Sequence, residues 1–136
     1  VAESCTGGAI SHRITRVAGS SNYFTSGAIT YSNEAKIRSL GVTANTLERH
    51  GAVSEQTAIE MAEGIKRQAG TSVGLSVTGI AGPTGGSVET PVGTVWVGLA
   101  RGEGSEARRF RFHGDRERVI LGASQAALNY LRTSLL

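Results

Sequence analysis

A chain of 136 residues with a net charge of +3 has the usual length of one domain and a nearly balanced charge. One cysteine excludes a disulfide framework, no apolar run approaches the roughly 20 residues of a membrane span, and no export leader is recognisable. The basic residues are dispersed, and their one cluster, Arg108, Arg109 and Arg111, would split between the two faces of a strand. We therefore expect a single cytoplasmic domain over residues 1–136, with neither a membrane nor a nucleic-acid partner.

Short apolar runs alternate with helical periodicity, which is typical of an α/β layered sheet. Residues 1–3 are predicted to end a buried strand, and because a domain would not begin there, we expect further residues upstream. The rest of the first half predicts a helix over 6–17, a strand over 27–31, a helix from Asn33 as its cap to Leu40, and a helical turn from Thr43 or Asn45 to Gly51.

The second half of the chain predicts a mixed sheet. A long loop precedes the strand over 92–100 and a tight hairpin follows it, so this strand should be antiparallel to both of its neighbours. The elements in order are a helix from the cap Ser54 to Gly70, strands over 72–78, 92–100 and 105–112, and a closing helix capped by Asp115.

Three of the predicted strands end in small or polar residues, in the segments ESCTGG, TYSNEAK and VTGIAGPTGG. Helical crossovers between these strands require them to run parallel, so all three segments should lie on one rim of the sheet. Ligands of open α/β sheets collect beyond the carboxyl ends of the strands. The sequence therefore predicts a functional site where these segments meet.

Two of these segments are rich in glycine. Thr6, Gly7 and Gly8 leave backbone N–H groups accessible at a helix start, which suits a phosphate or an oxyanion, although a turn that only needs small residues for packing explains them too. The segment with Thr78, Gly79 and Gly82 is a second cradle or a mobile loop, and it matches neither the Walker A nor the GxGxxG pattern.

Ser4 and Lys36 together allow nucleophilic chemistry. A serine hydroxyl needs a base, and a lysine amine can serve once desolvation lowers its pKa from about 10.4. Only two of the 14 basic residues are lysines, although Lys36 could also lie on the solvated face of a short helix. Tyr31 is either a packing residue or a hydrogen-bond donor to this pair.

Other candidates carry less chemistry. Cys5 could be a nucleophile, but the single cysteine of such a chain is more often a small buried apolar residue. Glu3 could orient Lys36 or cap a turn, and the sequence does not decide between these roles. The histidines show no metal-ligand spacing, so no metal site is predicted.

Five motifs in fixed order, spread over residues 1–112, carry a family resemblance: VAESCTGG, GSSNYFTSGAITYSNEAK, GVTANTLERHGAVSE, VTGIAGPTGG and PVGTVWVGL. With them the chain resembles the C-terminal domain of the CinA (competence/damage-inducible protein) family, which includes stand-alone bacterial nicotinamide-nucleotide amidases. The resemblance implies a three-layer α/β/α sandwich with a mixed, mostly parallel sheet of about five strands.

The resemblance also implies hydrolysis of nicotinamide mononucleotide to nicotinate mononucleotide and ammonia, without a metal or cofactor, by a homo-oligomer. Not every member is an amidase, so a non-catalytic nucleotide-binding or oligomerisation module of a larger protein is the alternative. Relatives commonly carry E-K-P where this chain has Glu89-Thr90-Pro91. The implied catalytic residues are Ser4, Tyr31 and Lys36, and the resemblance implies that Thr78 and Gly79, with the glycines beyond, line the same pocket. The full set of substrate-binding residues that we expect is Cys5, Thr6, Gly7, Gly8, Asn33, Thr78, Gly79 and Gly82.

Overall fold

The computed structural model describes all residues from Val1 to Leu136. Five strands and five α-helices follow one another, with one turn of 3-10 helix at Ser20–Asn22. The elements are β1 (Ala2–Glu3), α1 (Ala9–Thr15), β2 (Ala28–Ile29), α2 (Asn33–Leu40), α3 (Ala44–His50), α4 (Glu55–Ala69), β3 (Val73–Gly79), β4 (Thr94–Arg101), β5 (Gly104–Arg111) and α5 (Arg116–Ser134).

The strands form one sheet in the order β2-β1-β3-β4-β5. Strand β1 pairs in parallel with β2 and β3, whereas β4 is antiparallel to both β3 and β5. Four of the strands therefore point in one direction and only β4 is reversed. The predicted α/β fold with a mixed, mostly parallel sheet is confirmed, and so is the antiparallel placement of the strand after the long loop.

Helices cover both faces of the sheet, which gives the predicted three layers. Leu75 and Val77 of β3 point to the face where α1 and α5 pack, in a core that also holds Ile10 and Val119. Ser76 points to the other face, where its hydroxyl donates to the carbonyl of Ala58 in α4 at 2.6 Å. Helices α2 and α4 form a second, smaller core there. No helix combines the length with the apolar character that a membrane crossing requires.

Helix α4 lies very close to the sheet because glycines face it. A Cβ atom on Gly74 would lie 2.1 Å from the carbonyl oxygen of Ala62, and one on Gly98 would lie 2.3 Å from that of Ala58. Both acceptors are backbone atoms and cannot rotate away. The close contact fixes the start of α4, and with it the segment before α4 that borders the site described below.

Gly98→Ala is therefore expected to destabilise the domain by about 1–3 kcal/mol, because α4 must move away from the sheet to admit the methyl group. Gly104→Ala is the matched control, since its added Cβ would meet nothing closer than an oxygen 3.9 Å away. Urea unfolding of both variants measures the difference. Equal midpoints would contradict the close-contact argument.

Several element boundaries differ from the sequence prediction. Helix α1 begins at Ala9 and not at residue 6, because Gly7 and Gly8 have φ of +58° and +105° and form a turn. The cap of α2 is Ser32 and not Asn33, since the Ser32 hydroxyl accepts the N–H of Ala35 at 3.1 Å. Strand β2 is only two residues long, because β1 offers it no more than two partners.

Other caps agree with the prediction. Thr43, rather than the alternative Asn45, caps α3 and accepts the N–H of Thr46. Ser54 caps α4 and Asp115 caps α5, each through its side-chain oxygen.

The start of α5 matters for the site. Because β5 points in the same direction as β3, the cap of α5 lies on the same rim as the carboxyl ends of β1 and β3.

Candidate active site

A cleft of about 240 Å³ opens at the carboxyl ends of β1, β2 and β3, where the sequence places its three polar segments. Most of the site residues named from the sequence line this cleft: Ser4, Cys5, Tyr31, Asn33, Lys36, Thr78, Gly79 and Gly82. Thr6, Gly7 and Gly8 do not. Ile80, Ala81 and Thr84 of the predicted segment VTGIAGPTGG also line the cleft. The sequence analysis missed three further walls: Ala52, Val53 and Arg116.

Ser4 and Lys36 meet at the bottom of this cleft. Ser4 follows directly after β1, and Lys36 projects from α2, whose cap Ser32 lies just after β2. The Nζ atom of Lys36 lies 3.0 Å from the Ser4 hydroxyl oxygen and 2.8 Å from the carbonyl oxygen of Thr30. The Lys36 side chain is 1% exposed, so the alternative of a solvated helix face is wrong.

The surroundings of Lys36 favour the neutral amine. Its two hydrogen-bond partners are a hydroxyl and a backbone carbonyl, and neither carries a negative charge. Burial lowers the pKa of Lys36 below its ordinary value of 10.5, against a smaller opposite effect of Cys5. A neutral amine can donate to the Thr30 carbonyl and accept the Ser4 proton, which is the arrangement that a general base needs.

Cys5 borders the cleft but is poorly suited to attack. Its side chain is 7% exposed, and burial raises the pKa of the thiol to about 11, although Lys36 and Arg116 act in the opposite direction. The thiolate is the reactive form of cysteine. At neutral pH almost all of Cys5 is therefore the unreactive thiol, which favours Ser4 as the nucleophile.

Glu3 has the capping role and not the role of orienting Lys36. Its carboxylate is fully buried, and it accepts hydrogen bonds from two hydroxyls and two backbone N–H groups around the start of α1. The hydroxyls belong to Thr6 and Ser11, and the N–H groups to Ile10 and Ser11. Both oxygens are thus used, and the negative charge stabilises the amino end of the helix.

The turn between Ser4 and α1 contains unused backbone donors. The N–H of Gly7 donates to the carbonyl of Ser4 at 3.0 Å, which closes the turn. The N–H groups of Cys5 and Thr6 donate to no oxygen of the chain. These donors follow directly after the candidate nucleophile, a position from which backbone N–H groups can stabilise an oxyanion.

Tyr31 lies at the mouth of the cleft rather than in the core. Its side chain is 59% exposed, so the packing alternative is wrong. The other alternative, a hydrogen bond from Tyr31 to the Ser4–Lys36 pair, is not formed in the structure either. The Tyr31 hydroxyl accepts a hydrogen bond from Arg116 at 2.9 Å, and Arg116 also donates to the carbonyl of Gly82 at 2.7 Å. Arg116 thereby links the ends of two rim segments while its charge has no anionic partner.

Arg116 could have been found from the sequence. Asp115 is predicted as a helix cap, and the predicted hairpin places the helix after it on the same rim as Ser4.

No pattern in the sequence indicates that Ala52 and Val53 line the cleft, because they lie in an irregular segment. The Thr78 hydroxyl holds that segment by donating to the Ala52 carbonyl at 2.7 Å. Glu89, Thr90 and Pro91 lie outside the cleft.

Comparisons with known proteins place this chain and its fold in one family. Residues 1–135 match the profile of the CinA C-terminal domain. A CinA-like protein of Geotalea daltonii is 57% identical over 136 residues, which is 100% of this chain and 33% of that protein. The chain thus spans about a third of the length of the curated relatives it matches.

Solved structures agree. The competence damage-inducible protein A (ComA) of Klebsiella pneumoniae superposes with a TM-score of 0.95 at 41% identity, over 98% of this chain and 83% of that one. The competence/damage inducible protein CihA of Agrobacterium tumefaciens gives a TM-score of 0.94 at 42% identity, over 97% and 81%. With this architecture and a profile match over nearly its whole length, the chain belongs to the CinA C-terminal domain family.

Proposed function

We propose that this domain is an amidohydrolase that converts nicotinamide mononucleotide to nicotinate mononucleotide and ammonia. The observation that carries the proposal is the buried, counter-ion-free Lys36 amine 3.0 Å from the Ser4 hydroxyl. An amine in this state can take the Ser4 proton near neutral pH, and the resulting alkoxide character is what attack on a carboxamide requires.

The proposed reaction has two halves. The Ser4 oxygen attacks the carboxamide carbon as its proton moves to Lys36, and the oxyanion is held by the N–H group of Cys5, the residue directly after the nucleophile. Protonated Lys36 then gives the proton to the leaving nitrogen, ammonia departs, and an acyl ester remains on Ser4. Water, deprotonated by Lys36, attacks this ester, the proton returns to the Ser4 oxygen, and nicotinate mononucleotide is released.

The other walls of the cleft suit the rest of this substrate. Arg116 offers a guanidinium whose present partners are a hydroxyl and a carbonyl, so a phosphate would give it the charge pairing it lacks. Val53 and Ile80 provide apolar surface beside the dyad, which a pyridine ring can contact. Asn33 and Thr78 add polar groups that can hydrogen-bond a carboxamide or a ribose.

Incubation of the purified chain with nicotinamide mononucleotide, followed by measurement of ammonia, tests the proposal. Nicotinamide riboside, which lacks the phosphate, is the matched substrate and should be a poorer one if Arg116 binds phosphate. The non-catalytic alternative, a nucleotide-binding or oligomerisation module, would retain nucleotide binding in equilibrium dialysis without releasing ammonia. Absence of ammonia from folded wild-type protein would remove the enzyme proposal.

The lowered pKa of Lys36 gives a pH prediction. Because the neutral amine is the active base, kcat/KM should rise with pH through the lowered pKa and level off above it. The midpoint should lie below 10.5, the ordinary value for lysine. A profile of ammonia release against pH measures this limb. A rate that falls as pH rises over that range would show that the protonated amine is the active form.

A further inference from the structure

We infer that the side chains of Thr6 and Glu3 position the turn that carries the backbone donor of the site, the N–H group of Cys5, and that Thr6 itself does not bind substrate. The inference rests on the proposed amide hydrolysis, because that reaction assigns the N–H group of Cys5 to the oxyanion. Thr6 is 4% exposed and does not line the cleft. Its hydroxyl points to Glu3 and donates to the Oε1 atom at 2.7 Å.

The turn that carries these donors needs such a bond. Gly7 and Gly8 follow Thr6 directly, and glycine loses more backbone freedom on folding than any other residue. Within the turn the backbone bonds are those of the Gly7 N–H to Ser4 and the Ala9 N–H to Thr6. The Thr6 hydroxyl adds an anchor outside the turn, on a carboxylate that is itself fixed by strand β1.

Glu3 is a rigid anchor because it is fully buried and all its acceptor positions are used. Its Oε1 atom serves Thr6 and the Ile10 N–H, and its Oε2 atom serves the hydroxyl and N–H of Ser11. The carboxylate therefore connects the nucleophile strand, the turn with the free donors and the first turn of α1. A shift of this turn by about 1 Å is enough to cost a large part of the rate.

The two hydroxyls on Glu3 form a matched pair for a test. Thr6 and Ser11 each donate to one carboxylate oxygen at 2.7 Å, so removing either hydroxyl removes a similar hydrogen bond. Only Thr6 lies in the turn that carries the free N–H groups. Ser11 lies in α1, where the helix ladder holds the backbone.

Thr6→Val is expected to lower kcat about 10- to 100-fold, which is less than the roughly 10²–10³-fold cost of losing an oxyanion donor because the donor is displaced and not removed, while KM changes less than about twofold. Ser11→Ala should keep the wild-type kcat, although its loss of thermal stability should be similar to that of Thr6→Val. Thr6→Ser, which retains the hydroxyl, should restore most of the rate. The pH midpoint of kcat/KM should stay the same in all three variants, because Lys36 keeps its partners.

A second readout is independent of the amide substrate. Phenylmethylsulfonyl fluoride sulfonylates activated serines, and intact mass measures the rate of labelling at Ser4. Thr6→Val should be labelled more slowly than the wild type, and Ser11→Ala at the wild-type rate. The inference would be overturned if Thr6→Val and Ser11→Ala lowered kcat, or the labelling rate, by equal factors that follow only their losses of thermal stability.

Failure of the proposed function gives a different result. Wild-type protein would then release no ammonia but would still be labelled, and the comparison of Thr6→Val with Ser11→Ala by labelling would decide the positioning role. Wild-type protein that is neither active nor labelled would overturn both proposals.

Discussion

Ser4→Ala is expected to abolish ammonia release from nicotinamide mononucleotide, by about 10⁴-fold or more, with the fold intact. The loss follows from removing the atom that forms the acyl ester. The remaining cleft would still bind substrate, and its backbone donors would give only residual catalysis. The substitution removes one buried hydroxyl and leaves Lys36 bonded to the Thr30 carbonyl, so circular dichroism and the thermal midpoint should change little.

Cys5→Ala is the control next to it. The Cys5 side chain has a raised pKa and no role in the proposed reaction, whereas its backbone N–H is kept by any substitution other than proline. We therefore expect kcat within about tenfold of the wild type and a stability loss of about 1 kcal/mol from the missing sulfur. If Cys5→Ala were inactive and Ser4→Ala active, the chemistry would be that of a thiol.

The location of the site followed from the sequence because it depends on strand direction. Each of the segments ESCTGG, TYSNEAK and VTGIAGPTGG follows a strand, and helical crossovers force those strands to be parallel. One rim was therefore predictable without any coordinates. The antiparallel β4 was predictable for the same reason, since neither the long loop before it nor the hairpin after it contains a crossover helix.

The roles of individual side chains depend on burial, which a local pattern does not give. Lys36 lies in a short helix whose neighbouring residues are largely exposed, so its sequence environment predicts a solvated amine. It is buried because the rotation of α2 about its axis, set by Leu40 and Val42 in the second core, turns Lys36 toward Ser4. Glu3 is a similar case, since an acid at a strand end could face either Lys36 or α1.

The sequence also predicted the start of α1 wrongly, and the glycines before this helix explain why. Thr6, Gly7 and Gly8 continue a polar run that a helix could include, but the left-handed φ of both glycines ends that option. The turn that results is what leaves the N–H groups of Cys5 and Thr6 without partners. The wrong helix boundary and the candidate oxyanion donors are therefore two consequences of one backbone conformation.

Lys36→Arg is expected to lower kcat at neutral pH by about 10²–10⁴-fold, the usual contribution of a general base, or by more. The reason is that a guanidinium stays protonated at any pH where the protein is folded and so cannot take the Ser4 proton. The acid limb of the pH profile should also disappear, because the titrating amine is gone. Steady-state kinetics between pH 6 and pH 10 would measure both effects, because a lowered pKa of Lys36 is expected below the ordinary lysine value of about 10.4.

The larger, charged guanidinium could also disturb a side-chain position that is 1% exposed, so a second variant is needed. Lys36→Met gives an unbranched side chain only one atom shorter than lysine, removes the amine that acts as the base, and introduces no charge into the buried position. It should still fold, with a stability loss of about 1–3 kcal/mol because the buried Thr30 carbonyl loses its donor, and it should be inactive. Lys66→Arg, at the only other lysine, lies at the end of α4 away from the cleft and should keep full activity. If Lys36→Arg instead kept kcat and changed mainly KM, Lys36 would be a point charge that binds the substrate phosphate, and Ser4 would need a different base.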